Sequence, residues 1–167
     1  ELQNQIGLGE FKVIAASDSQ LSAEGFDIAS PETGGHLVSA SPALPDRQMI
    51  LTGLSDQTEV PLNGASTVDW VVGFYQNRAA QISEVQWHNS TKGDPAKRAT
   101  AVELYVSLES PLGPWQLAKT WELDPKSTGV QTLAFDAPIW ARFMRFVTKP
   151  GAADAFDYPK LLRLIER

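Results

Sequence analysis

Residues 100–148 read TAVELYVSLESPLGPWQLAKTWELDPKSTGVQTLAFDAPIWARFMRFVT, and their spacing decides the fold class. Val102, Leu104, Val106 and Leu108 alternate with Ala101, Glu103, Tyr105 and Ser107. A period of two sends alternate side chains to opposite faces of a strand. One face is aliphatic and the other mostly polar, the pattern of a half-buried antiparallel sheet. Pro111, Gly113 and Pro114 end that strand, because proline offers no N–H to a ladder. Trp115, Leu117, Trp121 and Leu123 resume the alternation, with Lys119 out of type. Residues 124–129 read as a turn and 130–135 as a strand. Asp136-Ala137-Pro138 reads as a further break, and 142–148 as the next strand. The expected core is Val102, Leu104, Val106, Trp115, Leu117, Trp70 and either Phe143 or Phe146.

The same reading extends outward. Residues 11–17 (FKVIAAS), 36–40, 49–54, 70–74, 82–88 and 161–166 read as further strands, and 1–10 as a lead-in segment. Short strands at regular spacing predict an all-β fold, an antiparallel jelly-roll β-sandwich in one domain spanning 1–167. If each strand reverses its predecessor, loops 17–35, 55–67, 89–99, 124–129 and 149–160 emerge at one end. Loops 41–47, 75–81, 109–114 and 136–140 then emerge at the other. The long loops gather at the first end, where binding groups usually reside on a rigid scaffold.

Composition narrows the function classes. A formal net charge of −6 supplies no basic face for nucleic acid or anionic lipid. No apolar run approaches the ~18 residues of a membrane span. The chain has no cysteine, which removes thiol catalysis, Cys-based zinc sites and disulfides. It opens on Glu1 without a basic-then-apolar leader, so the sequence is expected to be a mature or excised piece of a larger precursor. The expected location is extracellular or periplasmic.

Four stretches resemble one known family. VELYVSLESPLGPW (102–115), ARFMRFV (141–147), DWVVGF (69–74) and ISEV (82–85) are similar to strands of the discoidin or coagulation-factor type C family. That family belongs to the galactose-binding-like β-sandwiches. The resemblance spans residues 66–166 well and the earlier residues loosely. It implies the sandwich fold and a glycan ligand, on a cell surface or outside cells, met at the long-loop end. Animal members tie the domain ends with a disulfide, so the absence of cysteine points to a bacterial relative. Many carbohydrate-binding relatives hold a structural calcium through an Asp-Gly-Asn-x-x-Thr loop and a Glu in the last strand. Here the loop region reads AEGFD (23–27) and PETGG (31–35), and Arg163 stands near the place of the Glu. No cofactor or metal site is therefore assigned, and a structural calcium is left open but not favoured.

The candidate ligand-binding residues are His88, Lys92, Lys97, Asp154, Phe156 and Tyr158. Phe156 and Tyr158 lie in a polar loop and are read as exposed aromatics on which a sugar ring could stack. Lys92, Lys97 and Arg98 supply positive charge for an acidic glycan, or a solvated loop face. Asp154 and Asp157 offer oxygen ligands to a cation, or again a solvated loop. Trp70, Trp115, Trp121 and Trp140 are read as packing residues; Trp87 shares a face with Val85 but ends its strand at the long-loop end. Arg142 and Arg145 fall on opposite faces of their strand, one of them to cap the sandwich edge or pair with a carboxylate. Asn89-Ser90-Thr91 is a formal glycosylation sequon. Only His36 and His88 are histidines, and no Gly-x-Ser-x-Gly nucleophile context occurs, so no enzyme activity is expected. The function expected is a non-catalytic module that binds carbohydrate. The alternative is a structural or protein–protein interaction domain of a larger secreted or envelope protein. An exposed aromatic beside convergent polar groups favours the first, an apolar patch the second.

Overall fold

The alternation at 101–107 forms β6 (Ala101–Ser107), with Val102 and Leu104 buried and Glu103 exposed. A computed structural model of the chain describes residues 25–56 and 59–167. The lead-in at 1–10 and the strand expected at 11–17 lie outside the described residues. Beside β6 stand β9 (Phe143–Thr148) and β7 (Gln116–Glu122), and beyond β9 lie β4 (Val68–Gly73) and β2 (His36–Ser41). This sheet runs β2-β4-β9-β6-β7. The facing sheet runs β1-β11-β5-β8, from β1 (Phe26–Asp27), β11 (Leu161–Glu166), β5 (Ala80–His88) and β8 (Val130–Ala141). A two-stranded ribbon joins β3 (Glu59–Pro61) to β10 (Ala155–Asp157). Every neighbouring pair is antiparallel. Among the described residues strand makes up 48% and helix 9%, an all-β antiparallel jelly-roll sandwich.

The core lies between the two sheets. Trp70 of β4 stacks on Phe146 of β9 at 5.5 Å and meets Trp87 of β5, across the sandwich, at 5.9 Å. All three are buried, as are Phe143, Val72, Leu104, Ile82, Val85 and Leu164. Each large aromatic removes roughly 200 Å² from water, about 5 kcal/mol before entropy is subtracted. Outside, Arg145 pairs with Asp69 on the adjacent strand at 2.8 Å. Arg142 caps the sandwich edge by donating to the Asn77 carbonyl at 2.8 Å.

Several expectations need correction. The run at 49–54 is not a strand: it forms α1 (Met49–Thr52), closed by Gly53 at φ 68°. Met49, Ile50 and Leu51 are all buried, and a short continuous apolar run has no period to separate strand from helix. The glycine adopts the left-handed conformation that ends helices. Asp136-Ala137-Pro138 does not break the chain either. β8 runs through it, with a register irregularity opposite residues 82–84 of β5. β8 is an edge strand, where a missing proline N–H is tolerated. The polar loops 55–67 and 149–160 each hold a short strand, and these pair as the ribbon.

The expected core also shrinks at β7. A bulge opposite Leu104/Tyr105 leaves Ala118 without a ladder partner and inverts the faces. Leu117 is 50% exposed in consequence, and Val106 and Trp115 are half-buried. Trp140, expected inside, is 54% exposed, near the end of β8.

Removing one strand from the count re-sorts the loops. Ser41 pairs with Asp69, and Val68 with Thr148, so 41–47 leaves at the same end as 59–67 and 149–160. The described part of 17–35 lies at the other end, where Gly34 abuts Tyr75. Loops 89–99, 124–129 and 149–160 and the described part of 55–67 do share an end.

Candidate ligand site at the loop end

Three loops converge on one buried side chain. Arg98 is 3% exposed and its Nε donates to Asp157 Oδ2 at 3.2 Å. Nη1 donates to the Pro125 carbonyl at 2.8 Å, and Nη2 to the carbonyls of Ser90 at 2.7 Å and Gly93 at 3.0 Å. Ser90 Oγ donates to the same Asp157 oxygen at 2.7 Å. A buried ion pair is tolerable only when such extra hydrogen bonds satisfy it. Arg98, read from sequence as part of a basic cluster for an acidic glycan or a solvated loop face, is instead the internal fastener of 89–99, 124–129 and 149–160. Gly93 belongs to the same packing: a Cβ there would lie 2.0 Å from Asp157 Oδ2.

Asn89 is likewise internal. It donates to the carbonyls of Asp124 and Ser127, both at 2.9 Å, and accepts from Trp87 Nε1 at 3.1 Å. The sequon therefore presents a buried asparagine. Trp87 is a core residue at 1% exposure.

The six candidate residues separate. Phe156 and Tyr158 are both 0% exposed and offer no face to a sugar, which corrects the sequence expectation. β10 pairs with β3 and sets Phe156 opposite buried Val60. Tyr158 packs edge-on to Phe156 at 5.1 Å and against Trp70 at 5.2 Å, and its hydroxyl donates to the Pro42 carbonyl at 2.8 Å. Burial pushes that phenol well above its ordinary range. These aromatics anchor their loop from inside.

Lys97 and Asp154 do come together. Lys97 Nζ lies 3.1 Å from Glu59 Oε2 and 3.8 Å from Asp154 Oδ2. Glu59 holds the ammonium above its usual pKa, with Asp154 adding to the effect. Asp154 keeps 75% of its side chain in solvent. Lys92 is exposed and acts electrostatically on Asp56, whose carboxylate accepts from the Thr91 N–H at 2.8 Å. Those hydrogen bonds from Thr91 hold the Asp56 carboxyl low. His88 closes β5 on the outward parity, half-buried, with Lys160 and Arg163 as its charged neighbours. Burial chiefly, and those two cations secondarily, lower its pKa, so its imidazole is neutral at pH 7.

The loop end thus presents one cation between two carboxylates on a braced platform. Among the described residues no group of three or more His, Asp or Glu is placed to hold a metal ion. A recess of about 290 Å³ opens at this end on the outer face of the five-stranded sheet. It is lined by Thr67, Thr100, Glu103, Thr120 and Lys149. Sequence reasoning passed over Glu59, because a carboxylate in a polar loop looks like any other until the ribbon places it.

No protein-family model and no curated protein matches this chain. Solved structures do. A family 32 carbohydrate-binding module of Clostridium perfringens, in complex with galactose, superposes with a TM-score of 0.55 at 16% identity, covering 79% of this chain and 99% of its own. A CBM32 module from a family 31 glycoside hydrolase of the same organism gives 0.64 at 14% identity, covering 87% and 97%. A further Clostridium perfringens CBM32 domain, in complex with GalNAc-β-1,3-galactose, gives 0.62 at 13% identity, covering 83% and 99%. At these identities the likeness shows the fold alone, an antiparallel β-sandwich.

Proposed function

We propose that this chain is a non-catalytic carbohydrate-binding module that takes its sugar at the loop end. One observation carries the reading: Lys97 stands between Glu59 and Asp154 on a platform fixed by the buried Arg98–Asp157 pair. Sugar hydroxyls both donate and accept, so a cation flanked by carboxylates matches a vicinal pair of them. Two carboxylates at the site and a net charge of −6 favour a neutral sugar over an acidic one. Lys92 and neutral His88 extend the polar rim. The likeness to modules solved with galactose and with GalNAc-β-1,3-galactose supports the ligand class. The setting in keeping with that role is extracellular or periplasmic, within a larger protein.

Calorimetric titration with galactose and with GalNAc-β-1,3-galactose tests the reading. Asp154→Ala should weaken binding roughly ten-fold or more. Its melting temperature should stay unchanged, because the side chain is 75% exposed. Absence of binding to both sugars and across a glycan array would remove the reading. The rival, a protein-interaction domain, draws on the exposed Leu54 and Leu112, at 89% and 91%.

A further inference from the structure

We infer that the cleft at the opposite end of the sandwich, between the β6–β7 turn and the end of β8, is a second subsite for a single pyranose ring. It borrows its ligand class from the carbohydrate reading but not the placement of the loop-end site. The cleft encloses about 340 Å³ and is lined by Val106, Leu108, Glu109, Trp115, Gln116 and Trp140 among others. That volume is at the small end of ligand sites, the size of one ring rather than a chain.

Trp140 is the unusual feature. It is 54% exposed in a protein whose Trp70 and Trp87 are at 0% and 1%. An indole face accepts the C–H face of a pyranose, while hydroxyls at the ring's rim need polar partners. Exposed Glu109 and Gln116 supply acceptors and donors beside the indoles. A purely apolar peptide would leave that carboxylate and amide unpaired.

The walls are fixed. Ser107 Oγ accepts from the N–H groups of Glu109 at 3.1 Å and Ser110 at 3.3 Å. Ser110 Oγ donates to the Gly113 carbonyl at 2.8 Å. Gly113 has φ +105°, and a Cβ there would approach Trp115 Cδ1 at 3.1 Å, so a glycine lets the turn close over the indole. The other rim is held by the Arg142–Asn77 contact. An aromatic carried on braced strands and a braced turn is prepared for binding without reordering.

The test titrates ¹⁵N-labelled chain with methyl β-galactoside, methyl β-glucoside and methyl β-N-acetylglucosaminide, following amide and indole N–H signals. The Trp140 indole signal, assigned by its loss in Trp140→Ala, and the amides of 106–116 should shift with at least one glycoside. In Trp140→Ala those amide shifts should vanish or require roughly ten-fold more sugar, while Trp140→Phe retains them. Shifts at 89–98 and 152–157 should be untouched by either variant. If the loop end responds and 106–116 does not, the subsite is overturned and the loop-end reading stands. If neither end responds, both fall. A Trp140 signal that moves on dilution without sugar would mark a surface for self-association, and also overturn the subsite.

Discussion

Asp157 keeps its carboxylate at 3% exposure because Arg98, equally buried, lies beside it. Deleting one charge of such a pair strands the other, at a cost of about 3–5 kcal/mol. Asp157→Asn preserves the volume, so urea unfolding should show a loss near that range, and a loss below about 1 kcal/mol would mean that the pair does not secure the loops. Core leucines differ by face in the same way. Leu104 is 0% exposed and Leu117 is 50% exposed. Leu104→Ala should cost about 2–5 kcal/mol, and Leu117→Ala about 0.5 kcal/mol or less; equal losses would contradict the bulge. His88 titrates against the fold. Its folded pKa lies below the ordinary 6.5, so the unfolded chain binds the proton more readily. Stability from its neutral form is complete above about pH 6.5 and is lost as pH falls through the folded value. His88→Gln should therefore lose less melting temperature than the parent chain between about pH 7 and pH 5. Parallel curves for the two would exclude the burial effect.

At the scale of elements, Gly93 shows how a loop can be as tightly packed as a strand. Gly93→Ala should destabilise by about 1–3 kcal/mol, because the added methyl must displace the Asp157 carboxylate. A neutral result in urea unfolding would mean that the loop shifts freely. Strands were legible where one face is buried and the other wet, as in β6 and β9. The sequence signal failed at α1, where every residue from Met49 to Leu51 is buried and no alternation exists to read. At β7 the signal was present in the off-pattern Lys119. It sits where the bulge restores inward parity, and its ammonium reaches Asp136 of β8 at 3.6 Å, bridging the edges of the two sheets. The loop-end site was only half legible. Lys97 and Asp154 were named as candidates for their chemistry and lie together in the structure, but Asp154-Ala-Phe-Asp-Tyr158 reads as solvated. Its aromatics turn inward because Asp157 is neutralised by an arginine 59 residues earlier in the chain. Local patterning carries no trace of a pairing that distant.

At the scale of the whole molecule, β5 separates the two candidate surfaces. His88 closes it at the loop end, and Gln81, paired with Trp140, lies seven residues away. Seven residues of strand span about 23 Å. The surfaces lie at opposite ends of that strand, so the sandwich should act as a rigid spacer rather than a relay. The stability change of the double variant should then equal the sum of those of Asp154→Ala, expected near zero, and Trp140→Ala within about 0.5 kcal/mol, as for sites more than about 10 Å apart. The check is urea unfolding of the four proteins of that double-mutant cycle at matched pH and salt. A coupling above about 1 kcal/mol would show that the core between the sheets transmits strain from end to end. The two ends would then have to be treated as one site with two faces, and a sugar at either would alter affinity at the other by the same factor.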